Sequence, residues 1–76
     1  MIKYFFHIRD HGQLIPDDEG LYLSGLEAAA AEAWLSAGDL AAAAIRIGTG
    51  VCCQSIEYSD EHGNILGSTD TRTTLH

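Results

Sequence analysis

Ser24-Gly25-Leu26-Glu27-Ala28-Ala29-Ala30-Ala31-Glu32-Ala33-Trp34-Leu35-Ser36-Ala37-Gly38-Asp39-Leu40-Ala41-Ala42-Ala43-Ala44-Ile45-Arg46-Ile47-Gly48 is the stretch that decides the fold. It contains no proline and is dominated by alanine, the strongest helix former. Ser24-x-x-Glu27 has the form of a capping box, in which the serine hydroxyl and the glutamate carboxylate satisfy each other's backbone amides. Gly48 follows the last periodic residue and suits a left-handed C-cap. At about 100° per residue, Leu26, Ala30, Ala33, Ala37, Ala41 and Ala44 fall on one stripe, with Trp34 and Leu40 at its edges. Glu32, Asp39 and Arg46 lie opposite, so the helix is amphipathic and lies on another layer.

A face of methyl groups permits close approach but buries little area, so the bulky side chains of the core must come from elsewhere. Ile2 to Arg9 supplies them, reading as a strand with Ile2, Tyr4, Phe6 and Ile8 on one face and Lys3, Phe5, His7 and Arg9 on the other. Arg9-Asp10-His11-Gly12-Gln13 is turn chemistry. Leu14-Ile15 resumes an apolar run that Pro16 keeps short and at a sheet edge. Asp17-Asp18-Glu19-Gly20 is an acidic loop, and Leu21-Tyr22-Leu23 leads into the cap. After the helix, Val51 to Ser59 reads as the third strand, Asp60 to Asn64 as a second turn, and Ile65-Leu66 as the start of a fourth. Gly67 to His76 is polar except for Leu75 and is expected to fray.

These elements predict an α+β, two-layer ββαββ fold, with one long helix packed on a four-stranded antiparallel sheet. The strand order 2-1-3-4 makes every neighbour antiparallel. Residues 1–66 form the single domain and residues 67–76 a polar C-terminal tail. The expected core is Tyr4, Phe6, Ile8, Leu26, Ala30, Ala33, Ala37, Leu40, Ala44 and Ile56.

Seventy-six residues suffice for one small domain. Eleven acidic residues against four basic ones give a net charge of -7, which argues against nucleic-acid or anionic-membrane binding, since phosphates require clustered Lys and Arg. Met1-Ile2-Lys3-Tyr4 runs directly into a strand with no apolar signal core, so a cytoplasmic protein is expected. Cys52 and Cys53 are adjacent, a poor geometry for a disulfide, and read as reduced strand thiols.

Four histidines and many carboxylates raise the question of a metal, but strand directions send the two turns to opposite ends of the sheet. Eight residues at about 3.3 Å each separate His11 from His62 by ~25 Å. No metal or cofactor is expected; a metal would need two chains or the His7/His11 pair alone. No serine or cysteine is positioned by sequence to complete a triad with Asp10 and His11. Gly48-Thr49-Gly50 follows a helix rather than opening one, and Asp17-Asp18-Glu19 lacks the alternating oxygen ligands of a calcium loop. Asp10-His11-Gly12-Gln13-Leu14-Ile15 matches Glu61-His62-Gly63-Asn64-Ile65-Leu66 in residue class, which reads as two similar corners rather than a duplication.

Tyr4-Phe5-Phe6-His7, Asp17-x-x-Gly20, Leu26-Glu27-Ala28-Ala29 with Glu32-Ala33, and Asp60-Glu61-x-Gly63 together resemble a family of short alphaproteobacterial proteins, rhizobial ones included, that form a domain of unknown function. The resemblance spans roughly residues 3 to 66 and implies no activity, cofactor or catalytic residue. The chain departs from the family after Leu66, where Gly67-Ser68-Thr69-Asp70 replaces an aliphatic-Pro-Phe segment.

The functional expectation is therefore a small interaction module without catalysis, a homodimer or a docking partner of another protein. Phe5 and His7 on the open strand face and Leu35 on the helix are the candidate partner-binding residues. One alternative is a small enzyme or ligand-binding protein using His7, Asp10 and His11. Another is an acidic, antitoxin-like inhibitor of a basic partner.

Overall fold

The computed structural model describes residues 1–48 and 54–74. Its elements are β1 (Ile2–Asp10), β2 (Gln13–Ile15), β3 (Leu21–Leu23), α1 (Leu26–Ile47), β4 (Gln54–Ser59), β5 (Ile65–Asp70) and a closing 3-10 turn, Thr71–Thr74. The sheet order is β2-β1-β4-β5, with β3 also pairing β1, and all these pairings are antiparallel. The α+β class and the order anticipated from the sequence hold, and β3 is an additional strand. Cys52, Cys53 and the proposed start of the third strand at Val51 lie outside the described residues.

β2 and β3 share one edge of β1. Ile15 opposes Ile8 and Leu21 opposes Tyr4. Four steps along β1 therefore face six steps along the edge chain, and residues 16–20 must loop out of the ladder. Pro16, which has no amide hydrogen to donate, stands where the chain leaves. His11 and Gly12 both take positive φ (51° and 84°) and close β1 onto β2 in a two-residue turn. The second corner is built differently. Asp60 Oδ1 accepts the His62 and Asn64 amides, and positive φ falls at Gly63 but not at His62. The two similar hexapeptides do not make the same turn.

α1 begins one residue later than the capping box requires. Gly25 is the N-cap, in extended backbone with no side-chain cap bond. Ser24 is thereby one place outside the cap, beyond reach of the Glu27 amide. The other end is as expected: Gly48 takes φ 80° and its amide reaches the Ala44 and Ile45 carbonyls. Glu27 in the first turn and Arg46 in the last complement the helix dipole.

The helix lies over β4, β5 and the 3-10 turn rather than centrally over β1. Its buried residues are Ala29, Ala33, Ala37, Ala41 and Ala44. Ala33 and Ala37 meet Ile56, and Phe6, Ile8, Leu40 and Tyr58 pack around that centre. Tyr4 and Ile56 are buried as expected. Leu26 is not; it begins the helix and stays 53% exposed. Ala30 is half-buried and Ala29 takes its place, because the stripe is rotated by one residue at the N-terminal end.

Much of the polar stretch after Leu66 is not a frayed tail. β5 continues to Asp70, and Thr71 is fully buried with its hydroxyl donating to the Gln54 carbonyl at 3.2 Å. Gly67 lets the strand pass against the Tyr58 ring, where a Cβ would collide with the phenol. Leu75 and His76 lie outside the described residues.

Candidate functional site

Strand alternation carries Phe5, His7 and Arg9 to the face away from α1, opposite Ser59, Glu57 and Ser55 of β4. Lys3 joins them opposite Tyr22, and Leu14 opposite Arg9. Phe5 and His7 stack with their rings 6.4 Å apart and nearly parallel. The Lys3 ammonium lies 5.4 Å from the Phe5 ring centre and 5.6 Å from that of Tyr22. Arg9 donates twice to the Glu57 carboxylate, at 3.0 and 3.3 Å, and this pairing raises the guanidinium pKa against the opposing effect of burial. Tyr22 and Leu14 remain 59% and 45% exposed.

His7 is the hub of this face. Its Nδ1 accepts the Asp17 amide at 3.0 Å, and its Nε2 lies 2.9 Å from Ser59 Oγ. A backbone N–H can only donate, so in the neutral ring the proton sits on Nε2 and is donated to the serine. The pair has the spacing of a nucleophile and its base, but its polarity is reversed. A base would need a free lone pair facing the hydroxyl, with its other nitrogen donating to a carboxylate. Ser59 is also only 2% exposed, so no substrate reaches it. The arrangement orients side chains; it does not activate a nucleophile.

Asp17 completes the network. Its Oδ2 accepts the Phe6 amide at 3.0 Å, and its Oδ1 accepts the amides of Glu19 and Gly20 at 3.1 and 3.3 Å. Phe6 is the middle of the three β1 positions between the β3 ladder and the β2 ladder, so the carboxylate stands in for the missing strand carbonyl. Burial pushes the Asp17 pKa up, but the amides of Phe6, Glu19 and Gly20 outweigh it and hold the group below the usual carboxylate range. Gly20 takes φ 75°, and a Cβ there would crowd the Lys3 side chain, the Phe5 ring and the Tyr4 carbonyl. The acidic loop is therefore fastened to the sheet. Only the Asp-x-x-Gly spacing hinted at this.

The His7, Asp10 and His11 trio is not assembled. His7 lies on the open face, Asp10 pairs with Gln54 on the helix side, and His11 stands in the turn. His11 Nδ1 meets Asp10 Oδ1 at 2.6 Å in an exposed pair. Among the described residues no three His, Cys, Asp or Glu side chains gather as metal ligands. Leu35 is exposed on the outer side of α1, away from Phe5 and His7. No described helix is long and apolar enough to cross a membrane.

A groove of about 410 Å³ lies on the other side of the sheet, between α1 and the strands, floored by Phe6, Ile8 and Ile56.

No curated protein and no solved structure matches the chain. Residues 3–71 match the family described as a domain of unknown function, DUF6894. That span takes in Phe5, His7, Asp17, Gly20 and Ser59. The chain belongs to the DUF6894 family.

Proposed function

We propose that the protein is a small, non-catalytic interaction module that self-associates through the open face of its sheet. The observation that carries this reading is the aromatic and aliphatic area of that face. Its strands balance Lys3 and Arg9 against Glu57 and Asp70, and its acidic part is the Asp17-Asp18-Glu19 loop at the edge shared by β2 and β3. A two-fold arrangement that keeps the two loops apart lets two acidic copies meet at the strands with little repulsion. Tyr22 and Leu14 stand exposed beside the stacked Phe5 and His7, offering aromatic and aliphatic area to a two-fold partner. Fixed by the Asp17 and Ser59 hydrogen bonds, His7 loses little side-chain freedom on docking.

Light scattering at high micromolar concentration tests it. The wild type is expected to be a dimer, Phe5→Glu and Tyr22→Glu monomers with unchanged circular dichroism, and Leu35→Glu a dimer. A monomeric wild type ends the proposal, and dissociation by Leu35→Glu alone moves the interface to the helix.

A further inference from the structure

We propose that the groove between α1 and β1 docks a cationic amphipathic segment of a partner protein. Its floor is apolar, made by Phe6, Ile8 and Ile56, and its helix wall adds Leu40 and Ala43. Ile15 extends the floor to the sheet edge: it pairs with Ile8 on the same face and is 52% exposed. This half of the sheet is open because α1 lies over β4 and β5 instead.

Carboxylates outnumber cations around the groove. Asp39 lines it, is exposed, and has no ion-pair partner among the described residues. Glu32 stands two turns earlier and accepts the hydroxyl of Ser36, which also lines the groove. Asp10 marks the far end of the same strand face. Lys3 and Arg9 belong to the opposite face of β1; Arg46, two turns beyond Asp39 on the same helix stripe, sets one cation against the three carboxylates of Glu32, Asp39 and Asp10. An apolar trough with an anionic rim complements a segment that presents leucine or isoleucine on one side and lysine or arginine beside them. A second copy of this acidic chain would set carboxylate against carboxylate there. The groove is open along its length rather than enclosed, which suits a segment better than a buried small molecule.

The site lies on the opposite side of the sheet from the proposed self-association face, and its test does not depend on that face. The probes are a synthetic amphipathic Leu/Lys peptide and its Leu/Glu counterpart of equal length, titrated into the wild type and into Phe5→Glu. Methyl NMR and calorimetry supply the readouts. The Leu/Lys peptide is expected to bind both proteins equally, to shift the Ile8, Leu40 and Ile56 methyls, and to weaken with salt. The Leu/Glu peptide is expected to bind at least about tenfold more weakly, roughly 1.4 kcal/mol. Asp39→Lys, at an exposed site away from the core, is expected to weaken the Leu/Lys peptide by a similar factor. Failure of the Leu/Lys peptide to bind, equal binding of both peptides, unchanged affinity in Asp39→Lys, or shifts confined to the Phe5 and Tyr22 face would each overturn the proposal.

Discussion

The Asp17 carboxylate accepts the Phe6 amide at 3.0 Å, eleven residues back along the chain. It does so at the middle of the three β1 positions, Phe5 to His7, that pair with neither β2 nor β3. A side chain thus completes a ladder that the backbone leaves open, and the same carboxylate holds the loop by the amides of Glu19 and Gly20. An unpaired amide in a half-buried strand would be costly.

Asp17→Ala is therefore expected to destabilise the fold by about 1–3 kcal/mol, the cost of leaving a partly buried donor unsatisfied together with the loss of charge-assisted bonds. For a domain of this size that corresponds to a fall of at least about 4 °C in Tm. Asp18→Ala, in the same loop but with an exposed side chain, is expected to stay within about 0.5 kcal/mol. Differential scanning calorimetry of the two variants decides it; equal melting temperatures would mean that the loop carries no such clip.

The pH dependence follows from the same contacts. Because the folded Asp17 pKa is lowered, its contribution to stability is complete above the unfolded carboxylate value and is lost as pH falls through the folded one. Asp60 is shifted the same way, first by the Asn64 side chain and then, against some desolvation, by the Asn64 and His62 amides and the His62 charge. The wild type is thus expected to lose stability below about pH 4, and the gap between wild type and Asp17→Ala to narrow there. Urea unfolding at neutral pH and near pH 3 measures the gap. An undiminished difference at low pH would contradict the assignment.

The alternation from Ile2 to Ile8 and the alanine run ending at Gly48 made the layers and strand order legible, because each is a local pattern of fixed period. Phe5 and His7 could be assigned to the open face by parity alone. Leu21–Leu23 was missed as a strand because three residues between an acidic loop and an apparent cap carry no periodic signal. The cap itself was misread: pairing of β3 with β1 runs through Leu23 and delays helix entry to Leu26. The His7 contacts with Asp17 and Ser59 join residues ten and fifty-two positions apart. No spacing rule in a single sequence reports such pairs, so neither the attachment of the acidic loop nor the place of Ser59 was legible.

Gly20 and Gly12 provide a paired test of the loop's fit. Both have positive φ, but a Cβ at Gly12 meets nothing, whereas one at Gly20 would lie 3.1 Å from the Tyr4 carbonyl and 3.0 Å from the Phe5 ring. Gly12→Ala is expected to cost about 1–2 kcal/mol for the left-handed backbone alone. Gly20→Ala carries that cost plus crowding, a further 1–2 kcal/mol or so. Denaturant midpoints in the reverse order would show that the loop yields freely.

The alanine layer makes an equally sharp expectation. Ala37 is fully buried and clusters with Ile56 and Ala33 between helix and sheet. Ala37→Leu is expected to destabilise by about 1–3 kcal/mol through overpacking. Ala42→Leu, on the exposed side of the helix, is expected to change stability by less than about 0.5 kcal/mol. If Ala37→Leu melted with the wild type, the helix would have to sit farther from β4 than described here.

The last prediction concerns the reversed His7–Ser59 pair. With the Asp17 amide directed at Nδ1, the neutral ring carries its proton on Nε2 and gives it to the Ser59 hydroxyl. A serine receiving a hydrogen bond from its histidine is not deprotonated by it, and the hydroxyl is almost completely enclosed. Nitrogen NMR of the His7 ring in its neutral form is expected to report the Nε2–H tautomer. A fluorophosphonate, which labels activated serines, is expected to leave the protein unmodified at concentrations that label serine hydrolases. His7→Asn removes the ring from both partners and is expected to loosen the 16–20 loop, raising amide exchange at Glu19 and Gly20. An Nδ1–H tautomer would refute the hydrogen-bond assignment, and phosphonylation at Ser59 that Ser59→Ala abolishes would restore the case for an enzyme.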